Sequence, residues 1–498
     1  MSACQEPRPG GGVASGTENR CFLDTCKRVP GNDDGTGCGR DARAMRRGGP
    51  FRMPGRALVV GMGVSGRSVC ELLLRNGVEV VATDLRPLDR FGGTLDELRA
   101  KGCRLRLGEH HPDDFLNVDQ IIVSPGVPSL LEPLREARLR GIEIVGEFEW
   151  AWRQVDAPVI AVTGTNGKTT TTALIGEMIK ASGTRVFVGG NIGTPLSRWL
   201  LDGDRVDCMV LEVSSFQLDT AFLFRPEVGV LLNVTEDHLD RYRDFEEYTE
   251  SKLSMFGRQE STDVAVINLD DPVCGSRPFN GKGRLLTSSR NDPRTHAHVE
   301  DGRIVVNVPW KPEFRLDLAD LRLKGVHNEE NVLAAILACL AMDVVPEAVA
   351  RAAGTFGGLP HRVEWVRAAG GVDYYDDSKG TNVGAVVKAI ENFDRPVLLL
   401  LGGRDKLGSY APIAERMRTR GKGVFVFGES APRIHAELRD KVPIRLFPDL
   451  EGAFSAAVER AQAGDIVLLS PACSSFDQYE SYAQRGDHFK KLVAALPG

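Results

Sequence analysis

Short apolar runs recur along the chain, separated by stretches with helical spacing. Residues 56–60, 79–84, 120–123 and 142–145 read as strands. Between the first two lie a turn, Gly61-Met-Gly-Val-Ser-Gly66, and a helix over 68–76. This alternation predicts a small doubly wound, Rossmann-like unit. A second α/β region begins near Glu147, with strands over 158–162, 208–212, 228–232 and 263–267 and a helix over 170–180. A β-rich interruption follows at 298–317, then helices over 331–341 and 346–355. A third region begins near Leu359, with strands over 372–375, 396–401, 423–427 and 465–469 and a helix over 383–390. The fold class predicted is α/β in three domains. They are a Rossmann-like N-terminal domain over 53–146, a central P-loop ATPase-type domain over 147–358 and a Rossmann-like C-terminal domain over 359–498.

The length of 498 residues agrees with about three domains. A net charge of −6 speaks against a nucleic-acid partner or a membrane-surface binder, whose footprint is basic. No apolar run approaches the roughly 20 residues of a membrane span. Cys70, Cys103, Cys208, Cys274, Cys339 and Cys473 are scattered without a framework, which suits a reducing cytosol. Residues 1–52 are rich in Gly, Arg and Asp and have no apolar periodicity. They read as a disordered extension or translated upstream sequence, with Met53 as a natural start. Cys4, Cys21, Cys26 and Cys38 lie there in no common zinc spacing.

The chemistry concentrates in Gly164-Thr-Asn-Gly-Lys-Thr169, between a strand and a helix. In that setting backbone N–H groups cradle phosphates, Lys168 reaches the terminal phosphates and Thr169 offers a hydroxyl to Mg²⁺. The stretch is not the standard P-loop, because the first glycine of that pattern would fall at Val162. Gly61-x-Gly63-x-x-Gly66, with Asp84 about 20 residues on, has three readings: a dinucleotide site, a site for the nucleotide part of a substrate, or tight helix–sheet packing. Glu212 ends a strand and is placed to hold a cation. His238 follows another strand, among Asp237, Asp240 and Arg241, and can ligate a metal when neutral. Asn328 and Asn331 read a base edge or cap a helix. Lys252 on its own reads as a surface lysine. Asp376-Asp-Ser-Lys-Gly-Thr-Asn382 places Lys379 and Thr381 at a helix N-terminus, a group suited to carboxylates.

Taken together, these stretches resemble the Mur ligases, ATP-dependent amide-forming enzymes of peptidoglycan precursor synthesis. The likeness runs from about residue 56 to the end. It rests on Gly164–Thr169, Gly189-Gly-Asn-Ile-Gly193, the Glu212 and His238 stretches and His327-Asn-x-x-Asn331. Three further stretches resemble the branch that adds D-glutamate to UDP-N-acetylmuramoyl-L-alanine. They are Gly358-Leu-Pro-His-Arg362, Asp376–Asn382 and Ser470-Pro-Ala-Cys-Ser-Ser-Phe-Asp-Gln478. The resemblance implies two small-molecule substrates, with ATP and Mg²⁺, in a cytoplasmic monomer. It implies that Gly164, Thr165, Asn166, Gly167, Lys168, Thr169, Thr170, Asn328, Asn331, Arg362 and Asp377 contact ATP. Lys168, Asn191, Glu212, His238 and Lys252 fall at catalytic positions. Thr169, Glu212, His238 and Lys252, the last as a carbamate, fall at metal positions. Val64, Ser65, Asp84, Arg86, Ser124 and Gly126 match the uridine-nucleotide site. Lys379, Thr381, Lys406, Ser475 and Phe476 match the D-glutamate pocket.

Overall fold

The computed structural model describes residues 51–497 except 129, 130, 239, 240, 324, 406 and 407. Lys406, Asp240 and the expectation for residues 1–50 therefore lie outside the described residues.

The first sheet holds β1 (Arg56–Val60), β2 (Glu79–Asp84), β3 (Arg104–Leu107), β4 (Gln120–Val123) and β5 (Glu143–Gly146). Its order is β3-β2-β1-β4-β5, all parallel. The glycine-rich turn is tighter than the sequence implies, because the helix Val64–Arg75 begins directly after Gly63. Gly66 therefore sits inside the helix, where a Cβ would lie 1.9 Å from the Gly61 carbonyl oxygen. Only a glycine lets helix and strand approach so closely. Phe51, ahead of Met53, stands edge-on to the buried Trp150 at 5.7 Å between ring centroids.

The central sheet holds β6 (Val159–Thr163), β7 (Val186–Gly190), β8 (Cys208–Glu212), β9 (Val228–Leu231), β10 (Val264–Asn268), β11 (Arg284–Ser288), β12 (Ala297–Glu300), β13 (Arg303–Val306) and β14 (Phe314–Asp317). Its nine strands run in the order β14-β13-β12-β11-β10-β9-β6-β8-β7. Pairing is parallel up to β12 and antiparallel between β12, β13 and β14, which accounts for the β-rich interruption. β6, β8 and β9 are wholly buried, as near-continuous apolar strands of a covered parallel sheet must be. The helix Val326–Ala341 is buried from Asn331 to Ala341 and packs on the helix Lys168–Ala181. Each buried Leu or Ile there contributes about 1.5–3 kcal/mol of transfer free energy, so burial more than propensity holds this helix.

The third sheet holds β15 (Glu364–Ala369), β16 (Val372–Asp376), β17 (Val397–Gly402), β18 (Gly421–Phe427), β19 (Ile444–Leu446) and β20 (Ile466–Leu469). Its order is β15-β16-β20-β17-β18-β19, with only β15 antiparallel to its neighbour. The central and third sheets face each other across the carboxyl ends of their strands. The loop after β16 and the residues leading into β15 reach the loop after β6: Arg362 Nη2 donates to Thr169 Oγ1, and Asn382 Nδ2 donates to Asn166 Oδ1 at 3.3 Å.

Candidate active site

The loop between β6 and the helix Lys168–Ala181 is shaped by two glycines with left-handed φ, Gly164 at 147° and Gly167 at 85°. A Cβ on Gly167 would lie 2.3 Å from Asn331 Oδ1, so the predicted nucleotide contact Asn331 packs directly on the loop. The segment after β9 clamps the other side. Asn233 accepts from Asn166 N at 2.8 Å and donates to Asn166 O at 3.0 Å. Thr165 Oγ1 donates to Thr235 O and accepts from Thr235 N. The loop is thus held open as a cradle by its neighbours rather than by its own short sequence.

Two lysines converge on one carbonyl. Lys168 Nζ donates to Gly164 O and Thr165 O, each at 2.9 Å, and Lys252 Nζ donates to Gly164 O at 3.0 Å. Lys252 belongs to the helix Phe245–Leu253, whose N-cap is Asp244 accepting from Glu247 N. One turn earlier on that helix is Tyr248, whose ring lies 4.5 Å from Lys252 Nζ. Lys252 is only 2% exposed. Burial holds its ammonium well below the ordinary lysine value, and the charge of Lys168 pushes the same way. Read from sequence alone, Lys252 looked like a surface residue. No local spacing announces that its helix turns it inward.

Glu212, at the end of β8, accepts from Asn191 Nδ2 at 2.8 Å through Oε1, while its buried Oε2 has no hydrogen-bond partner. An orphaned buried carboxylate oxygen is costly unless a cation completes it. The unpartnered Glu212 oxygen is the kind of hard anionic donor that suits Mg²⁺ or a similar cation. His238 adopts a left-handed φ of 57° and meets Phe216 edge-on. The strained backbone and this aromatic wall aim its ring. Asn382, which caps the helix Val383–Glu391, also donates to Asp237 Oδ2 at 3.1 Å.

Arg362 and Asp377, which the resemblance assigns to ATP, feel each other's charge. Asp377 is buried and Arg362 half-buried, and desolvation lowers the Arg362 guanidinium against the opposing charges of Glu212 and Asp377. Burial pushes the Asp377 carboxyl up to about 7, although Ser470 Oγ donates to it at 2.6 Å and Arg362 favours its ionised form. Asn328 starts the helix that carries Asn331, and His327 beside it meets Glu391 at 3.1 Å.

The six predicted uridine-site residues, Val64, Ser65, Asp84, Arg86, Ser124 and Gly126, line one cavity of about 440 Å³ at the carboxyl edge of the first sheet. Asp84 accepts from Met62 N at 2.7 Å and from Arg86 N, Nε and Nη2. Burial tends to raise its carboxyl, and these hydrogen bonds outweigh that and hold it below the usual range.

Lys379 lies in the loop after β16, its Nζ 3.8 Å from the centre of the Tyr482 ring. Ser475 is buried, whereas Phe476 is 63% exposed. Tyr482 was not singled out in the sequence. It stands seven residues after Ser475 at the start of a helix, and only the fold brings it under Lys379.

Three family descriptions match in chain order. They are the MurD-like N-terminal domain over residues 55–146, the Mur ligase middle domain over 162–339 and the Mur ligase glutamate ligase domain over 361–473. The chain belongs to the Mur ligase family. Among curated relatives, the UDP-N-acetylmuramoylalanine–D-glutamate ligase of Geotalea daltonii is 44% identical over 445 residues, covering 89% of this chain and 98% of the relative. The enzyme of the same name from Desulfosudis oleivorans is 44% identical over 442 residues, covering 89% and 96%. Among solved structures, MurF ligase from Thermotoga maritima in complex with ADP has a TM-score of 0.57 at 20% identity, covering 88% of this chain and 95% of that one. A pseudomurein peptide ligase type C from Methanothermus fervidus has a TM-score of 0.56 at 18% identity, covering 88% and 99%. These two structures share the fold.

The Asp377 environment carries a pH signature. An unfolded carboxyl ionises near 4, whereas the folded one keeps its proton to about 7. Wild-type stability should therefore fall, relative to Asp377→Asn, as pH rises from about 4 to about 7, and level off above. Chemical denaturation of both proteins across that range checks this. A difference that stays flat contradicts the buried, neutral carboxyl.

Proposed function

We infer that the chain is the ATP-dependent ligase that joins D-glutamate to UDP-N-acetylmuramoyl-L-alanine, releasing ADP and phosphate, in peptidoglycan precursor synthesis. The observation that carries this reading is spatial. A phosphate cradle, a cavity matching the uridine-nucleotide residues and two third-domain loops, one with Lys379 and Thr381 after β16 and one with Ser475 after β20, lie on strand carboxyl ends. The extent of the D-glutamate ligase relatives over the chain supports it. The domains are proposed as 53–146 for the UDP substrate, 147–358 for ATP and 359–498 for D-glutamate, following an N-terminal extension. No helix among the described residues is long and apolar enough to cross a membrane. We place the enzyme in the cytoplasm as a monomer; among the described residues the buried cysteines form no disulfide, in keeping with a reducing cytosol.

The substrate carboxylate attacks the γ-phosphorus of ATP, and the resulting acyl phosphate is attacked by the amine of D-glutamate, with phosphate leaving. Lys168 and the loop N–H groups stabilise charge on the transferring phosphoryl oxygens. Mg²⁺, when bound by Thr169, Glu212, His238 and Lys252 as its carbamate, adds further charge stabilisation. Asn191 orients Glu212, and Arg362 and Asp377 close over the nucleotide from the third domain, excluding water from the acyl phosphate.

The depressed pKa of Lys252 supports the carbamate. A neutral amine has the lone pair that attacks CO₂. The product is N–COO⁻ with release of one proton, and the carboxylate thus formed adds an anionic oxygen donor beside Glu212.

Two outcomes are expected. Phosphate release with ATP and UDP-N-acetylmuramoyl-L-alanine should require D-glutamate, with L-glutamate, L-alanine and dipeptides inert. Equal use of L-glutamate, or preference for another amino acid, overturns the substrate assignment. Lys252→Ala should lose activity by about 10²-fold or more and regain part of it with acetate or formate, whose oxygens stand in for the carbamate. Full activity without additive contradicts the role of Lys252.

A further inference from the structure

Arg485 is the largest charged side chain in the buried interior, fully shielded from solvent. It lies on the helix Tyr482–Ala494, one turn after Tyr482, which sits under Lys379. Its depth is set by its neighbour. A Cβ on Gly486 would lie 2.2 Å from His361 Nδ1, so the helix presses directly onto the His361–Asp376 pair.

The guanidinium spends its donors on three separate loops. Nε donates to Ser378 Oγ at 3.0 Å and Nη2 to Ser378 O at 2.8 Å, after β16. Nη1 donates to Gly402 O at 3.3 Å, at the end of β17. Both Nη atoms donate to Cys473 O at 3.2 Å, and Nη1 to Ser474 O at 3.4 Å, after β20. All of these acceptors are carbonyls or a hydroxyl, and among the described residues no carboxylate pairs with Arg485. Burial pushes its pKa down to about 10, so it stays charged at neutral pH. A buried cation without a counter-ion is expensive, and the fold keeps it where the three loops meet.

We propose that Arg485 is a positioning residue for the amino-acid substrate, fixing the mouths of β16, β17 and β20 as one receptor for its carboxylates. The Ser378 end of the fork holds the turn that presents Lys379 and Thr381. The Ser474 end holds Ser475. The Gly402 end holds the terminus of β17. The charge of Arg485, offset only in part by Asp376 and Asp477, adds a favourable potential for a substrate with two carboxylates. A lysine cannot replace it, because an ammonium donates from a single point and cannot span three loops.

This inference rests on D-glutamate being the amino-acid substrate, which wild-type phosphate release with D-glutamate tests on its own. The Arg485 test compares variants with that wild type. Arg485→Lys, checked for an intact fold by circular dichroism and melting temperature, should raise KM for D-glutamate by about 10-fold or more. KM for ATP and for the UDP substrate should change by less than about 3-fold. Guanidinium ion added to Arg485→Ala should lower KM for D-glutamate toward the wild-type value. Ser378→Ala, a milder change that removes the Nε acceptor, should raise the same KM to a smaller degree, and it keeps the test available if Arg485 variants unfold. Unchanged KM for D-glutamate in a folded Arg485→Lys, equal increases for all three substrates, or an unaltered Ser378→Ala overturns the proposal.

Discussion

The carbonyl oxygen of Gly164 accepts hydrogen bonds from both Lys168 and Lys252, and the central site is organised around this sharing. Two ammonium groups on one oxygen repel by an amount on the order of a few kcal/mol at an effective dielectric of about 20. Burial, with the charge of Lys168 acting the same way, holds the Lys252 ammonium well below the ordinary lysine value. Its nitrogen lies in the interior beside the Tyr248 ring. The same arrangement leaves Lys168 as the charged group of the phosphate cradle. A single backbone atom, held by the left-handed φ of Gly164, thus joins the lysine of the phosphate loop to the lysine we propose to react with CO₂.

That carbonyl stays in place because the loop is braced from three directions. Asn233 and Thr235 hold it from the segment after β9, and Asn331 packs against Gly167 from the long buried helix. Arg362 and Asn382 reach it from the third sheet. The last pair couples nucleotide binding to the position of the third domain. The loop carrying Asn382 also carries Lys379 and Thr381, so these contacts tie the proposed amino-acid site to the phosphate loop.

Much of this was legible in the sequence because covered parallel strands are apolar throughout and end in conspicuous polar loops. β1, β2, β4 and β8 are where the pattern put them. β3 and β19 escaped because a short strand such as Arg104-Leu-Arg-Leu107 carries charges and only half an apolar face. The helix Val64–Arg75 starts earlier than its periodicity suggests, since glycines mask the first turn. The phosphate loop announced itself through its spacing. Lys252, Tyr482 and Arg485 did not. Each is an ordinary residue on an amphipathic helix, and its role comes from a contact made far away in the chain: 88 residues for Lys252 to Gly164, and 107 for Arg485 to Ser378.

We propose that Lys252 is a neutral, CO₂-reactive amine in the folded protein. Carbon-13 NMR of the enzyme equilibrated with ¹³C-labelled bicarbonate near neutral pH tests it most directly. The account predicts a carbamate carbon resonance in the wild type that is absent from Lys252→Arg and unaffected by Lys168→Arg. No carbamate signal in the wild type, or one that persists in Lys252→Arg, would contradict it.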